Sequence, residues 1–175
     1  MEKEISTKAV NSYLTFRIGD EVFAANVTKV LNILELQDIT NVPQSPEYMK
    51  GVINLRGVVL PVIDSKIKFG MSATEFTNNT CILVLDVNIE EESVQVGALV
   101  DAVIEVLELE DSKIQPPPSI GTKYRTEFLD GMVNYEDKFI MILNMDMVFS
   151  TGELTLLQEK ASEGAREMNE IEVNE

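Results

Sequence analysis

An internal repeat limits what this chain can fold into more than any other feature. The segment "VTKVLNILELQDITNVP" (27–43) lies without a gap over "VDAVIEVLELEDSKIQP" (100–116), and seven of the seventeen pairs are identical. Val30/Val103, Leu34/Leu107, Glu35/Glu108 and Pro43/Pro116 are among them. Farther on, "GVINLRGVVLPVID" (51–64) lies over "GMVNYEDKFIMILN" (131–144) after seven extra residues in the second copy, matching Gly51 to Gly131 and Asn54 to Asn134. Chance similarity between β-rich segments is the bland explanation. An ungapped run of that length favours duplication, and hence two copies of one structural unit.

The unit is made of strands. "YLTFRI" (13–18) alternates, with Leu14, Phe16 and Ile18 on one side and Tyr13, Thr15 and Arg17 on the other; this is the period of a half-buried strand. "GDE" then turns the chain and "VFAANV" (22–27) returns, which reads as a hairpin. "CILVLDV" (81–87), an acidic turn and "VQVGALV" (94–100) repeat the plan. The expected architecture is mainly β, with subdomains at about 13–70 and 81–149. Each is a small curved sheet closed into a barrel, because so few strands cannot otherwise bury both faces. Short helical turns are expected at 27–31 and 45–50. Residues 66–80 are expected to connect the subdomains, and "SIGTKYR" after Pro116–Pro118 to form an irregular loop. Residues 1–12 read as a flexible N-terminus. "STGE" (150–153) has the form of a capping box, so 151–175 reads as a C-terminal helix and acidic tail.

Charge and composition remove several functions. The chain has 30 acidic and 14 basic residues and a formal charge of −16, which repels a polyphosphate partner and disfavours nucleic-acid binding. The tail holds seven acids against two bases, so the body is acidic as well. There is no histidine, which removes Ser-His-Asp and Cys-His catalysis and histidine metal ligation. Phosphate-cradling glycine loops are missing too. Cys81 stands alone, so no internal disulfide forms, and a reducing, cytoplasmic setting is expected. No apolar run reaches the ~18 residues of a membrane span, and "MEKEISTKAV" has no apolar signal core.

"GVINLRGVVLPVID" sets a puzzle, because a guanidinium, Arg56, interrupts an apolar run. Buried and unpaired, it would cost more than the neighbouring valines could offset. The repeat places Glu136-Asp137 opposite Arg56-Gly57, a polar pair between two apolar strands. Arg56 is therefore expected at a hairpin tip, beside a glycine suited to the turn.

With "SKIKFG" after it, this stretch resembles the signature of the CheW chemotaxis coupling proteins. The similarity runs through residues 13–150 and includes "VGALVDAVIEVL" (96–107) and "TEFLDGM" (126–132). The resemblance implies two tandem SH3-like five-stranded β-barrels, with short helices and no enzymatic activity or cofactor. It implies an adaptor that joins the regulatory domain of a CheA histidine kinase to the cytoplasmic tip of a methyl-accepting chemoreceptor. Such a protein is cytoplasmic and is recruited to membrane-associated receptor arrays. Carried over by position, the receptor-binding set is Val30, Gly51, Arg56, Gly97, Val103 and Val106; the kinase-binding surface is not assigned. Two departures stand out: Asn32 where the family often has an acid that partners the arginine, and Ser65 where leucine is usual.

Each of these positions also has a bland reading. The valines could be core, the glycines backbone devices, and Arg56 a structural ion pair between barrels. Cys81 reads as a small core residue. The runner-up functions are an adaptor for a kinase outside chemotaxis and, well behind, a carboxylate-based, metal-dependent enzyme using Asp64, Asp86, Asp101 and Asp146 near strand ends.

Overall fold

The computed structural model describes residues 9–117 and 128–149. The strands in chain order are β1 (Val10–Ile18), β2 (Glu21–Asn26), β3 (Val30–Glu35), β4 (Met49–Leu55), β5 (Val58–Asp64), β6 (Cys81–Ile89), β7 (Glu92–Val100), β8 (Ala102–Glu110), β9 (Leu129–Tyr135) and β10 (Lys138–Leu143). Helix α1 (Ser65–Lys68) follows β5, α2 (Met145–Val148) follows β10, and 3-10 turns occupy Val27–Lys29 and Asp111–Lys113.

Two five-stranded sheets form, in the orders β8-β1-β2-β10-β9 and β3-β6-β7-β5-β4. The mainly β fold with two small barrels is therefore as the sequence implied, but the division of the chain is not. The contiguous subdomains 13–70 and 81–149 are corrected: each repeat gives its first hairpin to one sheet and its last three strands to the other. The exchange occurs at Val27–Lys29, where the chain leaves the β1–β2 sheet for β3, and at Asp101, where it leaves β7 for β8. Residues 66–80 accordingly join β5 to β6 within one sheet rather than linking subdomains. β1 begins at Val10, three residues before the expected boundary. Residues 45–50 hold turns and the start of β4 rather than a helix. The expected C-terminal helix and tail, the capping box and the "SIGTKYR" loop lie outside the described residues.

Antiparallel hairpins with two-residue turns supply most of the pairing. Arg56-Gly57, Glu90-Glu91 and Glu136-Asp137 all have positive φ at both positions, the type I′ geometry whose twist matches that of the flanking strands. A parallel pair then completes each sheet: β5 with β7 (Val62 opposite Gly97) and β10 with β2 (Met141 opposite Phe23).

Each barrel is closed by the chain that follows its edge strand. Thr40, beyond β3, exchanges backbone hydrogen bonds of 2.9 and 2.8 Å with Val52 on β4; Gln115, beyond β8, exchanges two of 2.8 Å with Met132 on β9. Closure explains the glycine pair. A Cβ on Gly51 would lie 2.2 Å from the Thr40 carbonyl oxygen, and one on Gly131 2.7 Å from that of Gln115. The closing segments match as Thr40 with Gln115, two places away from the ungapped sequence alignment. The 3-10 turn at Asp111–Lys113 precedes the second closure, and the Pro43/Pro116 identity is not a structural equivalence.

The largest apolar cluster lies between the barrels. Leu14, Phe16 and Ile18 of β1 point into it, as do Leu83, Leu85 and Val87 of β6 and Val96, Ala98 and Val100 of β7. Opposite faces of the same strands fill the barrels: Tyr13, Ala24 and Leu107 in one, Ile82, Val84 and Leu99 in the other. Burial on both faces is why "CILVLDV" reads as a continuous apolar run. Phe69, just past α1, stacks on Phe23 at 5.5 Å and tilts against Phe128 at 6.1 Å, fastening the two barrels with aromatic contacts. Ser65, where leucine is usual, is buried in this layer beside a cavity of about 10 Å³.

The closure contact predicts that Gly51→Ala, which meets a backbone oxygen that cannot yield, lowers stability by about 3 kcal/mol. Gly57→Ala, with open space around the added carbon, costs only about 1 kcal/mol from its positive φ. Urea melts compare the two. Replacing Glu90-Glu91, two glutamates in left-handed backbone, with Asn-Gly is expected to stabilise the fold by about 0.5–2 kcal/mol, read in the same experiment.

Candidate partner-binding groove

The exchange of hairpins leaves β3 and β8 each at one edge of its sheet, opposite β4 and β9. They are repeat equivalents, and both are bulged at the same place. β3 skips Leu31 between Val30 and Asn32 against β6, and β8 skips Ile104 between Val103 and Glu105 against β1. Bulges at edges interrupt pairing and redirect side chains. Here they leave large apolar groups in water: Leu31 is 49% and Ile104 47% exposed, followed by Ile33 at 47% and Val106 at 57%. Four matched apolar side chains on two edge strands are more than the scattered exposure normal for a monomer surface.

A groove of about 580 Å³ opens between the edge strands, lined by Ile33, Leu34 and Leu36 of the β3 segment, Cys81 of β6, and Ala102 and Val103 of β8. Thr77 to Thr80 form its polar side. Val103 is half-buried and packs on the inter-barrel layer, and Val30 does the same at the matching place in the other repeat. Thus Val30 and Val103 share the inter-barrel packing, but of the two Val103 lines this groove and Val30 does not. Val106 is a surface residue rather than core and lies outside the lining as well.

The remaining candidates are placed elsewhere. Arg56 is exposed at the β4–β5 tip with φ +53°. Among the described residues it makes neither a hydrogen bond nor an ion pair, including with Glu35. The tip is held instead by Asn54, whose side-chain oxygen accepts from the Gly57 N–H at 2.8 Å. Asn32 spends its oxygen on the Ile33 N–H at 3.1 Å. Gly51 is the closure glycine. Gly97 is buried inside a barrel, where a Cβ would lie 2.9 Å from Ile82 Cγ2 and 3.2 Å from Leu60 Cδ2. Neither glycine offers anything to a partner directly.

The four aspartates of the enzyme reading are dispersed, each with its own donor. Asp64, wholly buried, accepts from the N–H groups of Lys66 and Thr74 at 3.0 and 2.9 Å and from the Thr74 hydroxyl at 2.7 Å, which satisfies it and caps α1. Asp86 accepts from the Ser93 hydroxyl. Asp101 accepts from the Gly19 N–H at 2.7 Å. Asp146 takes both Lys29 at 3.0 and 3.1 Å and the Asn88 N–H at 2.8 Å. Among the described residues no cluster of three acids, cysteines or histidines is placed to hold a metal ion, and no helix is long and apolar enough to cross a membrane.

Sequence reasoning passed over Ile33 and the bulge residues. The repeat held the signal for Ile33, since it pairs with Val106, but a bulge has no sequence mark of its own. The Lys29–Asp146 contact joins residues far apart in the chain and had none.

Exposed apolar edge strands beside an open groove, with the acids engaged internally, define a module for binding other proteins. The chain belongs to the CheW-like domain family, whose model matches residues 12–153, and so to the chemotaxis coupling and scaffold proteins. It is 37% identical to the chemotaxis protein CheW of Rhizobium meliloti (strain 1021), over 84% of this chain and 92% of that one. It is 31% identical to the CheW of Bacillus subtilis (strain 168), over 85% and 91%. The crystal structure of the scaffolding protein TtCheW from Thermoanaerobacter tengcongensis superposes with a TM-score of 0.73 at 30% identity, covering 83% of this chain and 96% of that one.

Cys81 provides a probe of the groove. Burial pushes its thiol pKa up, an effect opposed by a hydrogen bond with the Val103 backbone. A raised pKa means less thiolate at any pH below it, and thiolate is the reactive form. At pH 8 the folded protein is expected to react with an aromatic disulfide reagent at least about tenfold more slowly than the urea-unfolded chain. Equal rates would show that the groove floor is open to solvent.

Proposed function

We propose that this protein couples the cytoplasmic tips of methyl-accepting chemoreceptors to the regulatory domain of a CheA histidine kinase, acting by contact alone. The observation that carries the receptor half is the groove between repeat-matched edge strands, lined by half-buried Val103 and solvent-open Ile33, with Val30 and Val106 at the matching places on the same two strands, outside its lining. A helical tip would set apolar anchors at i, i+3, i+4 and i+7 against these side chains. Arg56, uncommitted among the described residues, is available for a carboxylate on the receptor. Gly51 and Gly97 support the site only through the backbone and packing they permit. Family membership supports the kinase half. In this reading the protein works in the cytoplasm and is drawn to receptor arrays at the membrane by its partners.

Calorimetric titration tests both halves. Saturable one-to-one binding is expected with the CheA regulatory domain from the same genome, and separate binding with a receptor-tip fragment. Arg56→Ala and Val106→Glu alter exposed side chains. Each should weaken tip binding about tenfold while leaving the thermal midpoint and kinase affinity unchanged. Loss of kinase affinity in step with tip affinity, or a lowered melt for Arg56→Ala, would return Arg56 to a structural role. A folded protein that binds neither partner would remove the coupling function.

A further inference from the structure

Two carboxylate contacts clasp the crossovers between the barrels, and they are matched in a way the sequence does not show. Gly19 and Asn88 stand at equivalent places, one residue past Ile18 of β1 and Val87 of β6, strands whose registers with β2 and β7 correspond. Both backbone N–H groups donate to an aspartate from another part of the molecule: Gly19 to Asp101 at 2.7 Å, Asn88 to Asp146 at 2.8 Å. Asp101 is itself the second crossover, and its own N–H bonds the Arg17 carbonyl at 2.9 Å. Asp146, on α2, reaches the first crossover through Lys29, at 3.0 and 3.1 Å. Each crossover is thereby tied to the hairpin of the barrel it enters, one directly and one through an ion pair. The next residue but one after Asp101 is Val103; the next after Lys29 is Val30.

From this arrangement we propose that Asp101, Lys29 and Asp146 are positioning residues: the two clasps fix where the chain enters β8 and β3, and so hold Val103, in the groove wall, and Val30, its repeat counterpart on the other edge strand, where the partner requires them. The inference rests on the receptor-tip reading of the groove. Packing of the inter-barrel layer keeps the barrels together, but apolar contacts are non-directional and tolerate small sliding of one face over another. Hydrogen bonds to fixed backbone amides do not, because they weaken steeply with angle and distance. The clasps act at the two points where a shift would be passed directly to the valines. They differ in kind: the Lys29–Asp146 pair is about one-third exposed (27% and 33%), so it is the one screened by salt.

The test uses the full chain with labelled valine methyl groups. In Lys29→Met, the Val30 methyl resonances are expected to move and tip affinity to fall about tenfold, with kinase affinity and the melting midpoint held. Lys29→Arg, which keeps charge and reach, restores both. Asp101→Ala should move the Val103 methyls in the same way. Unmoved Val30 methyls in Lys29→Met overturn the proposal, and so do moved methyls with unchanged affinity in a protein whose wild type binds the tip. If the wild type binds no tip, the receptor reading fails, and the methyl shifts alone decide whether the clasps place the valines.

Discussion

The apolar layer between the barrels is the contact on which everything else depends. Each repeat places its first hairpin in one barrel and its last three strands in the other, so the layer is built by both repeats and crossed twice by the chain. Fully burying a leucine, isoleucine or phenylalanine contributes about 1.5–3 kcal/mol. Phe16, Ile18, Phe23, Ile63, Leu83 and Leu85 are all fully buried there. A partly exposed ion pair such as Lys29–Asp146 contributes less than about 1 kcal/mol. Stability therefore belongs to the layer, and the polar contacts set position rather than add strength. A barrel of five short strands would have a thin interior by itself; the shared layer is what lets two of them persist in one chain.

The binding surface follows from the same exchange. Handing β3 and β8 across leaves them at the sheet edges, beside the seam, with unpaired backbone and bulges at Leu31 and Ile104. Edge strands are ordinarily blunted by charge. Here Glu35, Glu105 and Glu108 do part of that work, while the matched apolar residues between them remain uncovered. Polar chemistry is turned inward by contrast: Asp64 is saturated by three donors and caps α1, and Asn144 does the corresponding work for α2 by accepting from the Met147 N–H at 3.1 Å. What is left to meet a partner is shape, apolar surface and the charged hairpin tips, the equipment of a scaffold.

Twofold likeness within the chain does not make its two ends equivalent. The matched hairpin tips carry opposite charge, Arg56 on one and Glu136 with Asp137 on the other, in the same type I′ backbone. The crossovers are clasped by different chemistry at equivalent amides. A duplicated framework of this kind offers two related surfaces whose charges have diverged.

Local signals made the strands, the hairpin turns and the tip position of Arg56 legible. Alternation fixed the inward faces of β1, and the repeat showed that a two-residue polar turn stood at Arg56-Gly57. Val30 and Val103 were marked as a pair by their identical place in the two copies. The division into barrels was not legible, because a hydrophobic strand carries no record of which sheet it joins, and a contiguous split and an exchanged one have the same strand pattern. The closing segments were misaligned by two residues because a 3-10 turn adds length without disturbing apolar periodicity. Gly97 was marked for a partner, yet only the neighbouring Ile82 and Leu60 side chains show why it has no Cβ. The sequence by itself determined a duplicated β framework, its turns and its faces, all of which depend on residues near one another in the chain. The tertiary structure alone decided the exchange, the clasps and the groove, since these depend on which distant surfaces bury the most apolar area together.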